Sequence, residues 1–248
     1  RRLGYFMDWN NSYHTSSEQN NYTIWNFLKV CHQNGYLYKG RDSVPWCPRC
    51  GTAISQHEIL TEQYKELTHD AIFFLLPIIE WKNYYLRVWT TTPWTIPGNV
   101  AVAVNPNFQY GLYYEDGQGK IEIKRKSKTY KKIIKGKELI GLHYTGPFDD
   151  LEAVKRVKAE NLKTFHSIIP AKDLVTEEEG TGLVHIAPGA GEEDFKLAKE
   201  FNLQVIELID ESAVYLDGFN DLSGKNAKEN PQIIIDYLTK KSHKLIFF

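Results

Sequence analysis

The feature that most constrains the fold is a series of short segments, rich in aromatic and β-branched residues, that starts at Phe73. Pro, Gly, Asn and Asp separate them, as expected for turns between strands. The predicted strands cover residues 73–79, 84–90, 100–104, 110–114, 120–124 and 183–187. Helical patterns cover residues 151–160 and 192–201, and a last helix is entered through Asn230 with Pro231 at its first position. We therefore predict an α+β fold with a β-barrel core and peripheral helices.

Residues 1–60 have a different character. Thr15-Ser-Ser-Glu18 has the form of a capping box, in which a hydroxyl and a carboxylate satisfy the first N–H groups of a helix. Apolar residues at helical spacing follow until Asn34 and Gly35, which predicts a helix of about 17 residues. We predict a small helical and Cys-x-x-Cys segment, 1–60, and a main domain, 61–248. Both ends are expected to lie inside a longer chain, with the main domain truncated at its C-terminal end.

Charge and cysteine content argue against several classes of protein. The formal net charge is −1, whereas a nonspecific nucleic-acid binder has a strongly basic balance, so any RNA contact must be local. The three cysteines cannot build a disulfide framework, and they fit a reducing compartment, for which the cytoplasm is the default. No apolar run approaches the roughly 18 residues of a membrane span, so no membrane partner is expected.

One basic patch lies between residues 120 and 137, with Glu122 as its acidic member. Such a patch could bind a phosphate backbone, and a solvated hairpin is the alternative interpretation. Its basic residues are Lys120, Lys124, Arg125, Lys126, Lys128, Lys131, Lys132, Lys135 and Lys137.

Cys47-Pro-Arg-Cys50 has the spacing that lets two thiolates reach one tetrahedral zinc ion. The pair is half a site, because a structural zinc ion needs two more ligands. His32 and His57 are nearby but not at a convincing spacing. Ligands beyond the end of this chain, or an unliganded turn, remain the alternatives.

Two segments carry candidate site residues. The first, residues 89–99, ends a predicted strand with Thr90, Thr91 and Thr92 and then turns at two prolines. Its hydroxyls could line a pocket for a polar backbone and a small aliphatic side chain. Threonine also favours strands for packing reasons alone, which is the alternative.

The second segment, residues 180–194, reads as a strand, a glycine-rich loop and a helix start. Glycines let a backbone pass close to a ligand, and His185 at the strand end could converge with Asp194 in the first helical turn. A hydrogen-bonded core histidine and compensation of the helix dipole are the alternatives for these two residues.

Taken together, these motifs resemble the large editing insertion of class I aminoacyl-tRNA synthetases, which the isoleucyl, valyl and leucyl enzymes share. The resemblance covers essentially the whole chain. It rests on the 8–10, 44–53, 89–99 and 180–194 segments, which occur in the family's order. Thr92-Pro93-Trp94-Thr95 is similar to the isoleucyl version.

The resemblance implies a role for each candidate residue. Asp194, His185 and Thr92 would be catalytic, with Asp194 fixing the ammonium group of the substrate and His185 limiting side-chain size. No cofactor is implied for editing, whereas zinc held by Cys47 and Cys50 is implied in the longer enzyme. Ala190 stands where many members have a second histidine, so any role of that histidine is absent here. The residues implied to bind substrate are Thr90, Thr91, Trp94, Thr95, Gly189 and Gly191.

The implied function is hydrolysis of valine wrongly attached to isoleucine tRNA, and of valyl-adenylate as a further substrate. One missing methylene changes binding by only about 1–3 kcal/mol, a general figure for which isoleucyl-tRNA synthetase is itself the standard example. A second pocket that admits valine would complete the selection. The implied partners are the 3′ end of tRNA(Ile) and the rest of the synthetase. The chain lacks the His-x-Gly-His and Lys-Met-Ser-Lys-Ser signatures, so ATP-dependent ligation is expected only of that longer enzyme. The alternatives are clearance of Thr-tRNA(Val) and noncatalytic tRNA binding.

Overall fold

The computed structural model describes residues 1–248 except 1, 3, 5, 7, 62–70, 115–119, 126–129, 131, 177–179, 230–231, 241–245 and 248. The chain divides into two compact units, Arg1–Asp42 and Ser43–Phe248. The boundary predicted at residues 60 and 61 falls inside the second unit, next to residues outside the described ranges, and it stays a prediction.

The first unit contains helix α1, Glu18–Gln33. The hydroxyl of Ser17 accepts the N–H of Asn20 at 3.4 Å, and the helix ends at Asn34 before Gly35 with φ +74°. The predicted helix is confirmed, but Thr15 as its cap is wrong. The reason is local: Ser17 directly precedes the first helical residue, so its hydroxyl reaches the third N–H of the helix.

The second unit begins with a two-stranded hairpin, β1 (Trp46–Cys47) and β2 (Thr52–Ala53), followed by the short helix α2, Gln56–Thr61. Gly51 at the turn has φ +64°, which favours glycine. The indole N–H of Trp46 donates to the carbonyl oxygen of Glu211 at 2.8 Å. This hydrogen bond attaches the hairpin to the body of the unit.

A mixed sheet forms the centre of the second unit. Its strands are β3 (Ile72–Pro77), β4 (Tyr84–Thr90), β5 (Ala101–Val104), β6 (Gln109–Tyr114), β7 (Ile121–Arg125), β8 (Lys132–Lys135), β9 (Ser167–Pro170), β10 (Leu183–Ile186) and β11 (Ile246–Phe247). The order is β8-β6-β7-β4-β10-β5-β9, while β3 lies on the other edge of β4 and also pairs with β11. The sheet curls into a half barrel, which confirms the predicted fold class.

Strand β4 is the branch point of this sheet. One of its edges pairs antiparallel with β3 along its whole length, and its other edge is shared by β7 at the start and β10 at the end, both parallel. Along β4, Leu86, Val88 and Thr90 are buried while the residues between them are partly exposed. The strand therefore ends with the Thr90 hydroxyl on the core side of the sheet.

Three further helices cover the sheet: α3 (Glu152–Glu160), α4 (Glu192–Phe201) and α5 (Gln232–Lys240). The predicted helices are confirmed, and α4 has the predicted bounds. The expected cap Asn230 and first-turn Pro231 lie outside the described residues. A 3-10 turn, Pro93–Gly98, follows β4 and packs against α5. None of the helices in the described ranges is long and apolar enough to cross a membrane.

Candidate functional site

The two segments singled out in the sequence meet because β4 and β10 run parallel. Trp89 pairs with Val184, so the next residues, Thr90 and His185, lie side by side at the C-terminal ends of the two strands. Beyond these strand ends, β4 continues into the Pro93–Gly98 turn, and β10 continues into the glycine-rich loop that leads to α4.

A chain of polar contacts links the threonines to His185. The Thr90 hydroxyl accepts the N–H of Thr92 at 3.1 Å, and the two hydroxyl oxygens lie 3.3 Å apart. The Thr95 hydroxyl donates to the Thr92 carbonyl oxygen at 2.8 Å and lies 3.0 Å from Nε2 of His185. Thr90 and Thr95 are buried, whereas Thr91 and Thr92 are exposed. The contacts thus run from a hydroxyl at the surface to a histidine in the core.

The hydrogen bonds of Thr95 assign the tautomer of His185. Because the hydroxyl proton of Thr95 goes to a carbonyl oxygen, its lone pair accepts Nε2–H of His185. Nδ1 then carries a lone pair, buried and without a hydrogen-bond partner among the described residues. Burial lowers the pKa of His185 to about 4, so the ring is neutral at pH 7. The rings of His185 and Phe74 pack edge to face, with 6.4 Å between their centroids.

Asp194 reaches the same strand end from the first turn of α4. One carboxylate oxygen, Oδ2, accepts the N–H of Ala187 at 2.9 Å, two residues beyond His185. Burial raises the pKa of Asp194 to about 6, the Ala187 hydrogen bond opposes this shift, and the charge of Glu193 adds to it. A carboxylate with a raised pKa is stabilised by any cation that binds beside it.

The glycines of the loop between β10 and α4 allow close packing at these strand ends. A Cβ on Gly191 would lie 3.4 Å from Cγ of Asp194, and one on Gly189 would lie 3.2 Å from the carbonyl oxygen of Ile206. Gly191 therefore borders the carboxylate. The close neighbours of Gly189 belong instead to the segment that supports the loop, which favours a packing role beside the predicted substrate role.

Trp94 is half-buried in the turn after β4, and two contacts to it had no signal in the sequence. The Tyr215 hydroxyl donates to the Trp94 carbonyl oxygen at 2.8 Å, and Nζ of Lys228 lies 5.8 Å from the centroid of its ring. Both partners come from a segment more than 100 residues away, with no periodicity or motif to single them out.

Cys47 and Cys50 lie in the hairpin of β1 and β2 and could supply two of the four ligands of a zinc ion. The backbone N–H of Cys50 lies close to the Cys47 sulfur, and this hydrogen bond lowers the pKa of Cys47. The neighbouring Cys47 sulfur raises the pKa of Cys50, so the pair favours one thiolate and one thiol. Within the described ranges, no cluster of three or more His, Cys, Asp or Glu side chains is placed to hold a metal ion. Further ligands from a longer chain stay a prediction.

The basic patch is only partly described, since Lys126, Lys128 and Lys131 lie outside the described residues. Nζ of Lys124 lies 4.3 Å from the ring centroid of Tyr113, and burial lowers its pKa. Lys120 lies over the ring of Tyr85. Part of the patch thus packs on aromatic rings of the sheet, and its contact with RNA stays a prediction.

Residues 1–235 match the family model for class I tRNA synthetases (I, L, M and V), and the chain belongs to this family. Its fold is that of the CP1 editing domain. Against the GlLeuRS-CP1 crystal structure the TM-score is 0.51, with 15% identity over 71% of this chain and 97% of that one. Against the P. falciparum cytosolic leucyl-tRNA synthetase editing domain the TM-score is 0.50, with 10% identity over 72% of this chain and 99% of that one.

In sequence, the chain is similar to isoleucine–tRNA ligases. It is 37% identical to the Pyrococcus furiosus enzyme and 32% identical to that of Sulfolobus acidocaldarius, over 98% of this chain in both comparisons. The chain spans about a quarter of the length of these relatives, 24% in both. The predicted resemblance to the isoleucyl editing region is confirmed, while the roles of individual side chains stay predictions.

Proposed function

We propose that this domain hydrolyses the ester that joins valine to tRNA(Ile), and valyl-adenylate in the same pocket, as the editing part of an enzyme that ligates isoleucine to tRNA(Ile) with ATP in the cytoplasm. The observation that carries the proposal is the meeting of the threonine contacts, His185 and Asp194 at one end of β10. The similarity to isoleucine–tRNA ligases supports the choice of amino acid.

Asp194 holds the α-ammonium group, the one cation that every aminoacyl ester carries. Its carboxylate has one hydrogen bond from the backbone and a pKa raised to about 6, so it is ionised at pH 7 but poorly stabilised. Pairing with an ammonium supplies the missing stabilisation through a charge-assisted hydrogen bond. This interaction fixes the amino-acid end of the substrate.

Thr92 and His185 act on the remainder of the amino acid. Thr92 is exposed, and its hydroxyl can bind the ester or the attacking water. The buried, neutral ring of His185 would limit the space for the amino-acid side chain. In the reaction, water adds to the ester carbonyl carbon, the bond to the ribose oxygen breaks, and the ribose hydroxyl leaves with a proton. The ester is already reactive, so orientation of water and carbonyl carbon supplies much of the rate.

The test is hydrolysis of Val-tRNA(Ile) by this chain and by its Asp194→Ala variant. Loss of a charge-assisted hydrogen bond of about 1.5–3 kcal/mol predicts a rate lower by roughly 10- to 150-fold. Glu192→Ala is the matched control, because Glu192 lies in the same helical turn and pairs with Lys196 at 2.7 Å. Unchanged hydrolysis by Asp194→Ala would contradict the proposal.

Two alternatives have distinct outcomes in the same assay. Preferential hydrolysis of Thr-tRNA(Val) would assign the domain to a valyl enzyme. Salt-sensitive tRNA binding without hydrolysis of any ester would indicate a noncatalytic tRNA-binding module that uses the basic patch.

A further inference from the structure

Lys228 is a cation at the threonine segment that the proposed reaction does not use. Its side chain is exposed, and Nζ lies 5.8 Å from the ring centroid of Trp94, within the range of a cation–π contact. Within the part of the chain that the structure describes, no carboxylate forms an ion pair with Lys228. The ammonium group is therefore available to an anion that approaches Trp94.

The backbone around Lys228 is held in place. The Asn226 side-chain oxygen accepts the N–H groups of Lys228 and Glu229 at 3.0 and 3.1 Å, and Ala227 donates to the Ala213 carbonyl oxygen at 2.9 Å. Tyr215, from the same segment, fixes the Trp94 backbone through its hydroxyl. The lysine and the tryptophan thus belong to one packed arrangement, and their proximity does not depend on a free loop.

The acidic residues next to the glycine-rich loop disfavour an RNA phosphate close to Asp194. Glu192, Glu193 and Asp194 occupy the first turn of α4. Asp194 suits the ammonium end of an aminoacyl ester, but the same carboxylates repel the phosphodiester that precedes the terminal nucleoside. Lys228, placed at the threonine segment by its contact with Trp94, supplies a positive charge that offsets this repulsion.

We propose that Lys228 binds the phosphodiester group between the last two nucleotides of the aminoacylated RNA. This inference rests on the proposed function. It divides recognition by charge: the substrate's cation goes to Asp194 and its nearest anion goes to Lys228. The site would then distinguish an aminoacyl ester on RNA from the same ester on a free nucleoside.

The test compares two non-hydrolysable probes, the 3′-valylamide of adenosine, which has no phosphate, and the same amide on a dinucleotide with one phosphodiester. Dissociation constants are measured for the chain, Lys228→Met, Lys228→Arg and the control Lys225→Met, an exposed lysine of the same segment. An exposed ion pair contributes up to about 1 kcal/mol, so Lys228→Met should weaken dinucleotide binding by about threefold to fivefold. Nucleoside binding should not change.

Lys228→Arg should retain dinucleotide affinity, and the salt dependence of that affinity should decrease by about 0.7 in a log–log plot for Lys228→Met. Equal weakening of both probes would overturn the inference, because it would indicate a packing role on Trp94. No weakening of either, or no binding of either to the unaltered chain, would also overturn it. Hydrolysis of the matching esters is scored separately: binding that depends on phosphate, without hydrolysis, would contradict the proposed function and leave this inference standing.

Discussion

At the residue scale, the candidate site contains two ionisable groups, His185 and Asp194, whose pKa values are shifted by burial in opposite directions. Burial lowers the pKa of His185 to about 4, so its contribution to stability is present above its ordinary value of 6.5 and is lost as the pH falls through 4. Burial raises the pKa of Asp194 from 3.8 to about 6, so its contribution is present below 3.8 and is lost as the pH rises through 6. At neutral pH the ionised carboxylate therefore destabilises the fold that carries it.

Because the ionised carboxylate destabilises the fold, we expect Asp194→Asn to be less active than the unaltered chain and at least as stable. The amide oxygen can still accept the Ala187 N–H, but no buried charge remains, so the melting temperature at pH 8 should equal or exceed that of the unaltered chain. Hydrolysis of Val-tRNA(Ile) should be slower in the variant by roughly 10- to 150-fold, as in Asp194→Ala. In the unaltered chain it should decline as the pH falls through about 6. Thermal unfolding and initial rates across pH 5–8 measure both. A less stable but active variant would show that the carboxylate is structural.

A second prediction concerns His185 as the wall of the pocket. His185→Ala removes a buried ring next to Thr95, so space opens where a longer side chain would clash. We expect hydrolysis of Ile-tRNA(Ile) to rise to within about tenfold of the valyl rate, since one methylene then discriminates weakly. Initial rates on both esters are the measurement, with a melting curve to confirm that the variant is folded. Continued rejection of the isoleucyl ester would place the wall elsewhere.

At the element scale, the parallel pairing of β4 and β10 brings the residues of the candidate site together. The alternation of β4 and the bounds of α4 could be predicted from sequence, because each depends on a local pattern. The pairing of Trp89 with Val184 could not, because it joins residues 95 positions apart through backbone hydrogen bonds that any side chain permits. For the same reason the sequence does not predict β8 and β9: both strands are short, and β9 is held by pairing with β5 rather than by its own pattern.

Substitution of Gly180 tests how closely the chain packs against Trp89 of β4. It has φ +64°, and an added Cβ would lie 2.8 Å from the Trp89 ring, directly before Thr90. Gly180→Ala should destabilise the chain by about 1–2 kcal/mol from the backbone conformation and by about 1–3 kcal/mol more from the clash. Gly224→Ala is the control, since Gly224 has φ +77° but open space around its Cβ position. Urea unfolding of both variants should show the larger loss for Gly180→Ala. Equal losses would contradict the packing of Trp89 described above.

At the scale of the whole molecule, family membership is a property of most of the chain, whereas the candidate site depends on a few residues. The fold and the membership of the class I synthetase family follow from matches along most of the chain. The site follows from a handful of contacts between β4, β10 and α4. Sequence could single out the threonines, His185 and Asp194 because they cluster in two short segments, whereas Tyr215 and Lys228 become visible only when the chain is folded.

The most direct test of the proposed editing function is a comparison of three esters with the purified chain: Val-tRNA(Ile), Ile-tRNA(Ile) and Thr-tRNA(Val). We expect rapid loss of the valyl ester and persistence of the isoleucyl ester, with the difference much smaller in Asp194→Ala, because that variant should hydrolyse the valyl ester roughly 10- to 150-fold more slowly. Equal hydrolysis of the valyl and isoleucyl esters, or faster hydrolysis of the threonyl ester, would contradict it.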